Sequence, residues 1–174
     1  MKKPLQRRPG PGLEHFSVVL PKNILVPVEL GAEANEALDY ACELARTFGA
    51  TLHLLHVIGV PALGVPELGV ALTSSMIDTL VRENQDALDR IADLRRGTTQ
   101  IGQVLLRTGD ARDLINQTAT ELAADLIVMA THGRRGVSRA LLGSVTETVV
   151  RTAPCPVLTV RSHTVHPAHG EVAA

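Results

Sequence analysis

The 174-residue sequence has no tryptophan and only three aromatic side chains, Phe16, Tyr40 and Phe48. A core of ordinary density must therefore be aliphatic, and any flat ligand would rest on Leu, Val or Ala, not on an aromatic platform. Lysine is absent beyond Lys22. This excludes a P-loop, whose Lys reaches the β/γ-phosphates, and a pyridoxal enzyme, whose Lys forms the Schiff base, from the rest of the chain. The two cysteines, Cys42 and Cys155, lack zinc-ligand or C-x-x-C spacing and read as reduced packing residues. No apolar run approaches the 18 residues of a membrane span, and the basic, Pro/Gly-rich start lacks the apolar segment of a secretory signal. A cytoplasmic protein with no membrane partner is the expectation. Net charge is also small, at −1. Five Lys/Arg fall within residues 1–22 beside the single acid Glu14, so the remainder is acidic and a phosphate-backbone binder is not expected.

The length suits one domain that buries its own core. Residues 1–21, with Pro4, Pro9, Gly10, Pro11, Gly12 and Pro21, read as a flexible extension, 22–161 as the domain, and 162–174 as a loose tail. Within the domain, strand-length apolar bursts alternate with helical stretches. Ile24–Val28 is a continuous apolar run, the pattern of a strand buried on both faces of a parallel sheet, with Pro27 its discordant residue, and Leu52–Ile58 reads as a second strand. Between them Ala37, Leu38, Ala41, Leu44, Ala45 and Phe48 form one helical stripe that Gly49 ends. Residues 59–74 hold Pro61, Gly64, Pro66 and Gly69 and are too punctuated for a regular element, which makes them a candidate flap. A helix follows from about Ser75, with Ile77, Leu80, Val81, Leu88, Ile91 and Leu94 at helical spacing up to Gly97. Val104–Leu106, Leu126–Ala130 and Pro156–Val160 read as strands, and Ala111–Ala123 and the end of Leu141–Thr152 as helices. The β-α-β-α-β-α-β-α-β order predicts an α/β fold, a doubly wound five-stranded parallel sheet with helices on both faces. Ligands of such sheets lie outside the strands' carboxyl ends, which directs attention to Glu29–Gly31, Gly59 onward and Thr131 onward.

After Leu126–Ala130 the chain reads Thr131-His132-Gly133-Arg134-Arg135-Gly136, and then Gly143-Ser144-Val145-Thr146-Glu147. The glycines permit close backbone approach, the arginines supply charge, and Ser144 with Glu147 has capping-box spacing. A helix starting at Ser144 would offer unpaired amides to an anion such as phosphate. The same residues also fit an ordinary Gly-rich turn with a capping serine and solvated arginines.

Ala130-Thr-His-Gly133, nine residues, Gly143-Ser144 and the closing Ala153-Pro154-Cys155-Pro156-Val157-Leu158 resemble the signature of the universal stress protein family. Asn23–Val28, Leu55-His56-Val57, Gly109-Asp110 and Asp125–Met129 agree with it in order, so the resemblance spans roughly residues 22–161. It implies a Rossmann-like sheet of the adenine nucleotide alpha hydrolase type, a stress-response role with protein partners the sequence does not name, and dimerisation through the last strand, Val157, Leu158, Thr159 and Val160. In one branch it also implies ATP, with Mg2+ where the phosphates carry it. The phosphates would meet Gly133, Gly143, Ser144 and Val145, with His132, Arg135 and Thr146 beside them. Pro27, Val28, Glu29, Val57 and Ala130 would border the nucleoside. The chain departs from the motif twice: Ala130 replaces its first Gly, and Glu29 stands where binding members carry Asp. Alternatives are a stress-response interaction module without nucleotide and a slow ATP hydrolase. No nucleophile or general base is singled out, and His132 reads better as a loop-ordering residue.

Other polar residues read as structural. His53 and His56, three apart in a strand, fall on opposite faces and cannot share a metal. His163, His166 and His169 lack a carboxylate or thiolate shell. Asp110 reads as a helix cap, with a second capping role or a magnesium ligand as the readings of Asp113.

Overall fold

The computed structural model describes residues 20–30, 35–59, 64–65, 70–71, 73–131 and 143–161. Its elements are β1 (Asn23–Pro27), α1 (Asn35–Phe48), β2 (Thr51–Ile58), β3 (Gly64–Val65), β4 (Val70–Ala71), α2 (Ser74–Arg96), β5 (Ile101–Thr108), α3 (Ala111–Glu121), β6 (Leu126–Ala130), α4 (Ser144–Thr152) and β7 (Val157–Val160). Five strands pair in parallel in the order β5-β2-β1-β6-β7, and β3 and β4 form a separate antiparallel pair. The predicted doubly wound α/β sheet is therefore the observed one. Two short strands occupy part of the segment in which no regular element was expected.

Two aliphatic layers sandwich the sheet. Ile24, Val26, Leu52, Leu54 and Val128 meet α1 and α2 through Leu38, Ala41, Ala45, Leu88 and Ala92. On the other face Leu25, Leu55, Ile127 and Met129 meet α3 and α4 through Ile115, Ala119 and Val149. Alternate strand residues feed opposite layers, which explains why the central strands read as unbroken apolar runs. The stripe of α2 narrows on folding: Leu88 and Ala92 are buried, whereas Leu94 is 79% exposed.

Local chemistry sets the ends. Gly49 adopts φ +65°, the left-handed geometry that ends α1. Asp110 caps α3, its carboxylate accepting from the Arg112 N–H at 2.8 Å. Hydrogen bonding from the Arg112 side chain and backbone holds that carboxyl down to about 2. Asp125 accepts from the N–H groups of Lys22 and Asn23 at 2.8 and 2.9 Å, which fastens the start of β1 beside the start of β6. β5 is longer than its apolar run because Gly102 and Gln103 break the pattern without ending the strand. The β2–β5 register shifts at that point, between Leu52 and Leu54. The ring of His53 fills the space beside it, and its Nδ1 accepts from the Gln103 N–H at 3.1 Å.

Candidate functional site

Strand order reverses between β1 and β6, so the carboxyl ends of these two strands form the topological switch point. Their pairing covers only Ile24↔Leu126 and Leu25↔Ile127, although β6 runs on to Ala130. Proline explains the parting. The Asn23 carbonyl, which accepts from Asp125, shows that odd residues of β1 face β6. Pro27 shares that parity and has no N–H to continue the ladder. The residue that looked discordant in the sequence ends the β1–β6 ladder at the switch point.

The first turn of α4 stands against this gap. The Gly143 N–H donates to the Thr131 carbonyl at 2.9 Å, and the buried Thr146 hydroxyl donates to the Ala130 carbonyl at 3.0 Å. The helix start is thus clipped twice to the end of β6. The capping box does not form. Gly143 is the N-cap with no side-chain cap bond, Ser144 is the first helical residue, and Glu147 pairs forward with Arg151 at 3.1 Å. The cause is the Thr131 clip, which fixes Gly143 in an extended conformation (φ −60°, ψ 146°) one residue earlier than a Ser144 cap would require. The amides of Ser144, Val145 and Thr146 precede the first intrahelical acceptor, since that bond runs from the Glu147 N–H to the Gly143 carbonyl at 2.8 Å.

A third wall comes from β2. The Leu55 carbonyl accepts from the Val28 N–H, toward β1, and the Ile58 carbonyl accepts from the Gly109 N–H, toward β5. By the alternation of a parallel strand, the N–H and C=O of Val57 point toward β1, past its last rung at Pro27↔Leu55. Val28 is buried, Val57 and Ala130 are half-buried, and Glu29 and Ser144 are exposed. Of the sequence-derived candidates, Pro27, Val28, Glu29, Val57, Ala130, Gly143, Ser144, Val145 and Thr146 therefore gather at the carboxyl edge of the sheet. His132, Gly133 and Arg135 lie outside the described residues. The sequence reading took His56 as a structural residue and did not place it at the site; its Nδ1 lies 2.8 Å from the Val28 carbonyl. Its signals were a polar residue inside a mostly aliphatic strand and its place in the Leu55-His56-Val57 segment that matches the family.

Other features fall elsewhere. A shallow cleft of about 270 Å³ between α1 and α2, with Cys42, Leu94 and the Arg95–Asp39 ion pair (2.8 Å) in its walls, lies toward the amino ends of the strands. Burial is the main cause that raises the Cys155 thiol above its ordinary range, so it stays protonated at neutral pH. Among the described residues no cluster of three or more His, Cys, Asp or Glu could hold a metal ion. Within the same residues no helix is long and apolar enough to cross a membrane.

A five-stranded parallel sheet with order reversal at β1 and β6 and a helix terminus clipped to the end of β6 defines a doubly wound α/β protein of the Rossmann-like class. The sequence comparisons name the family. The model of the universal stress protein family matches residues 21–161, and the chain belongs to that family. It is 34% identical over 143 residues to a universal stress protein of Methanocaldococcus jannaschii, covering 80% of this chain and 82% of that one. Among solved structures, the universal stress protein UspA from Lactobacillus plantarum superposes with a TM-score of 0.68 at 29% identity, covering 80% of this chain and 97% of that one. The universal stress protein from Archaeoglobus fulgidus, solved in complex with dAMP, shares the fold at 22% identity and a TM-score of 0.57, covering 81% and 98%.

Proposed function

We propose that this protein binds an adenine nucleotide, ATP with Mg2+ on its phosphates, at the carboxyl edge of the sheet, and that it acts in the stress response as a cytoplasmic homodimer whose protein contacts depend on occupancy. The observation that carries the reading is the start of α4: three amides at a helix terminus, with no side-chain cap, held beside a proline-parted switch point. The donor set fits the ligand. Backbone N–H groups and the positive end of the helix dipole favour phosphate oxygens, and they act without a lysine. Ser144 and Val145 would take the phosphates. Gly143, whose own N–H is spent on Thr131, contributes room for close approach. Gly133, His132 and Arg135 would complete the phosphate contacts, as the family resemblance implies.

Val28 and Val57 supply an aliphatic border for the base, and Val57 turns a backbone donor and acceptor toward it. Glu29 follows β1 and would address the sugar. Pro27 and Ala130 shape the two sides of the gap. The dAMP complex of the Archaeoglobus fulgidus relative supports the ligand class. β7 is an edge strand of the sheet, and antiparallel pairing of Val157, Leu158, Thr159 and Val160 with a second copy would cover it.

Isothermal calorimetry with ATP and Mg2+ tests the reading, joined by thermal melting at millimolar ligand. Saturable heat and a raised Tm are expected. Neither a heat nor a shift would favour the interaction module without nucleotide. Steady phosphate release from bound ATP would favour a slow hydrolase.

A further inference from the structure

We propose that His56 is a positioning residue for the nucleotide site: by holding the Val28 carbonyl out of the sheet ladder, it leaves the Val57 amide facing the open end of β1 for a ligand. The inference rests on the nucleotide reading above and names the side chain that prepares one wall of that site.

A parallel ladder alternates between its strands, so the rung after Val28 N–H to Leu55 C=O runs from the Val57 N–H to the Val28 C=O. At that carbonyl the structure places His56 Nδ1, at 2.8 Å. The β1–β2 register stops at Pro27↔Leu55, whereas β2 stays paired with β5 through Val57↔Arg107 and Ile58↔Thr108. The carbonyl, which would otherwise close the ladder, is satisfied by a side chain from the neighbouring residue. The buried Val28 C=O therefore carries no desolvation penalty, and among the described residues the Val57 N–H is left without its ladder partner.

A carbonyl can only accept, so Nδ1 must carry the proton. Asparagine places an amide N–H at the position of Nδ1, two bonds from Cβ, whereas leucine places nothing polar there.

The test uses the full chain and its His56→Leu and His56→Asn variants, with ATP and Mg2+ as the probe. Calorimetry is expected to show H56L weaker by about tenfold or more, the factor of one lost hydrogen bond, with H56N within about threefold of the unmodified chain. Hydrogen exchange of the Val57 amide, read by NMR without nucleotide, supplies a measure that a merely structural role would not move. That amide should exchange freely in the unmodified chain and in H56N, and slow by about tenfold in H56L as the Val28 carbonyl returns to the ladder. H56L binding ATP as tightly as the unmodified chain would overturn the proposal, as would a Val57 amide already protected in the free protein. If the unmodified chain binds no adenine nucleotide, the functional reading falls by itself, and Val57 exchange alone then decides the role of His56.

Discussion

His53 and His56 stand on opposite faces of β2 and use the same ring atom in opposite senses. His53 Nδ1 accepts from the Gln103 N–H at 3.1 Å, whereas His56 Nδ1 faces the Val28 carbonyl at 2.8 Å and must donate. Each ring satisfies a backbone group that the sheet ladder leaves over, one at the register shift against β5 and the other at the open end of β1. Protonation would remove the acceptor that His53 uses, because an imidazolium only donates.

Burial lowers the pKa of His53 below its ordinary value of 6.5, and His53 Nε2 has no hydrogen-bond partner among the described residues. The unfolded chain therefore takes up this proton first. The stability held by neutral His53 is complete above about pH 6.5 and is lost as pH falls from there through the folded-state pKa. Urea melts between pH 7.5 and 5.5 should show a stability slope steeper than that of His53→Asn, by at most about 1.4 kcal/mol per pH unit. Asn keeps an acceptor for Gln103 and cannot titrate. Equal slopes would remove His53 from the acid response.

Gly102 makes room for the same ring. A Cβ there would lie 2.6 Å from His53 Cε1, 2.8 Å from its Nδ1 and 2.7 Å from Thr51 Cγ2. The ring is buried and hydrogen-bonded, so it has little freedom to move. Gly102→Ala should cost about 1–3 kcal/mol, as overpacking does, read as a lower midpoint in chemical denaturation with an unchanged m-value. The same midpoint for both proteins would mean that the β2–β5 edge can shift to accept a methyl group.

The first amide of α4 can be deleted without unfolding the helix. Gly143 already has φ −60° and ψ 146°, the conformation a residue before proline prefers, and proline is tolerated at the first helical position. Ser144→Pro should leave Tm nearly unchanged and weaken ATP binding by about tenfold, the loss of one charge-assisted hydrogen bond. Undiminished affinity would move the phosphates away from this turn.

β7 offers a clean test of assembly. Pro156 and Val160 turn their carbonyls to β6, accepting from Ile127 and Thr131, so the N–H of Thr159 points outward from the sheet. Thr159→Pro removes that donor while sparing the β6–β7 ladder. Sedimentation should show monomers for the variant and dimers for the unmodified chain, with similar melting temperatures. A surviving dimer would place the interface elsewhere.

Much of the scaffold was legible because its signals are local. Strands β1, β2, β6 and β7 are apolar bursts, α1 carries a clear stripe ended by Gly49, and Asp110 caps α3. β5 was read short, since Gly102 and Gln103 break its apolar run. The end of β1 was read without its purpose, because the effect of Pro27 depends on which neighbour its missing N–H faces. Ser144 and Glu147 had the spacing of a capping box, but the Thr131 carbonyl competed for the preceding amide and moved the cap to Gly143.

The alternation of aliphatic bursts and helical stripes determined by itself that this chain folds as a doubly wound sheet, because burial on two faces requires that pattern. The glycine and serine signature determined its family. Only the tertiary structure decided which backbone groups the sheet ladder leaves over at the carboxyl edge. That choice depends on register between strands far apart in sequence: Pro27 against β6, Thr146 on Ala130, and the two histidines of β2 each completing a different ladder.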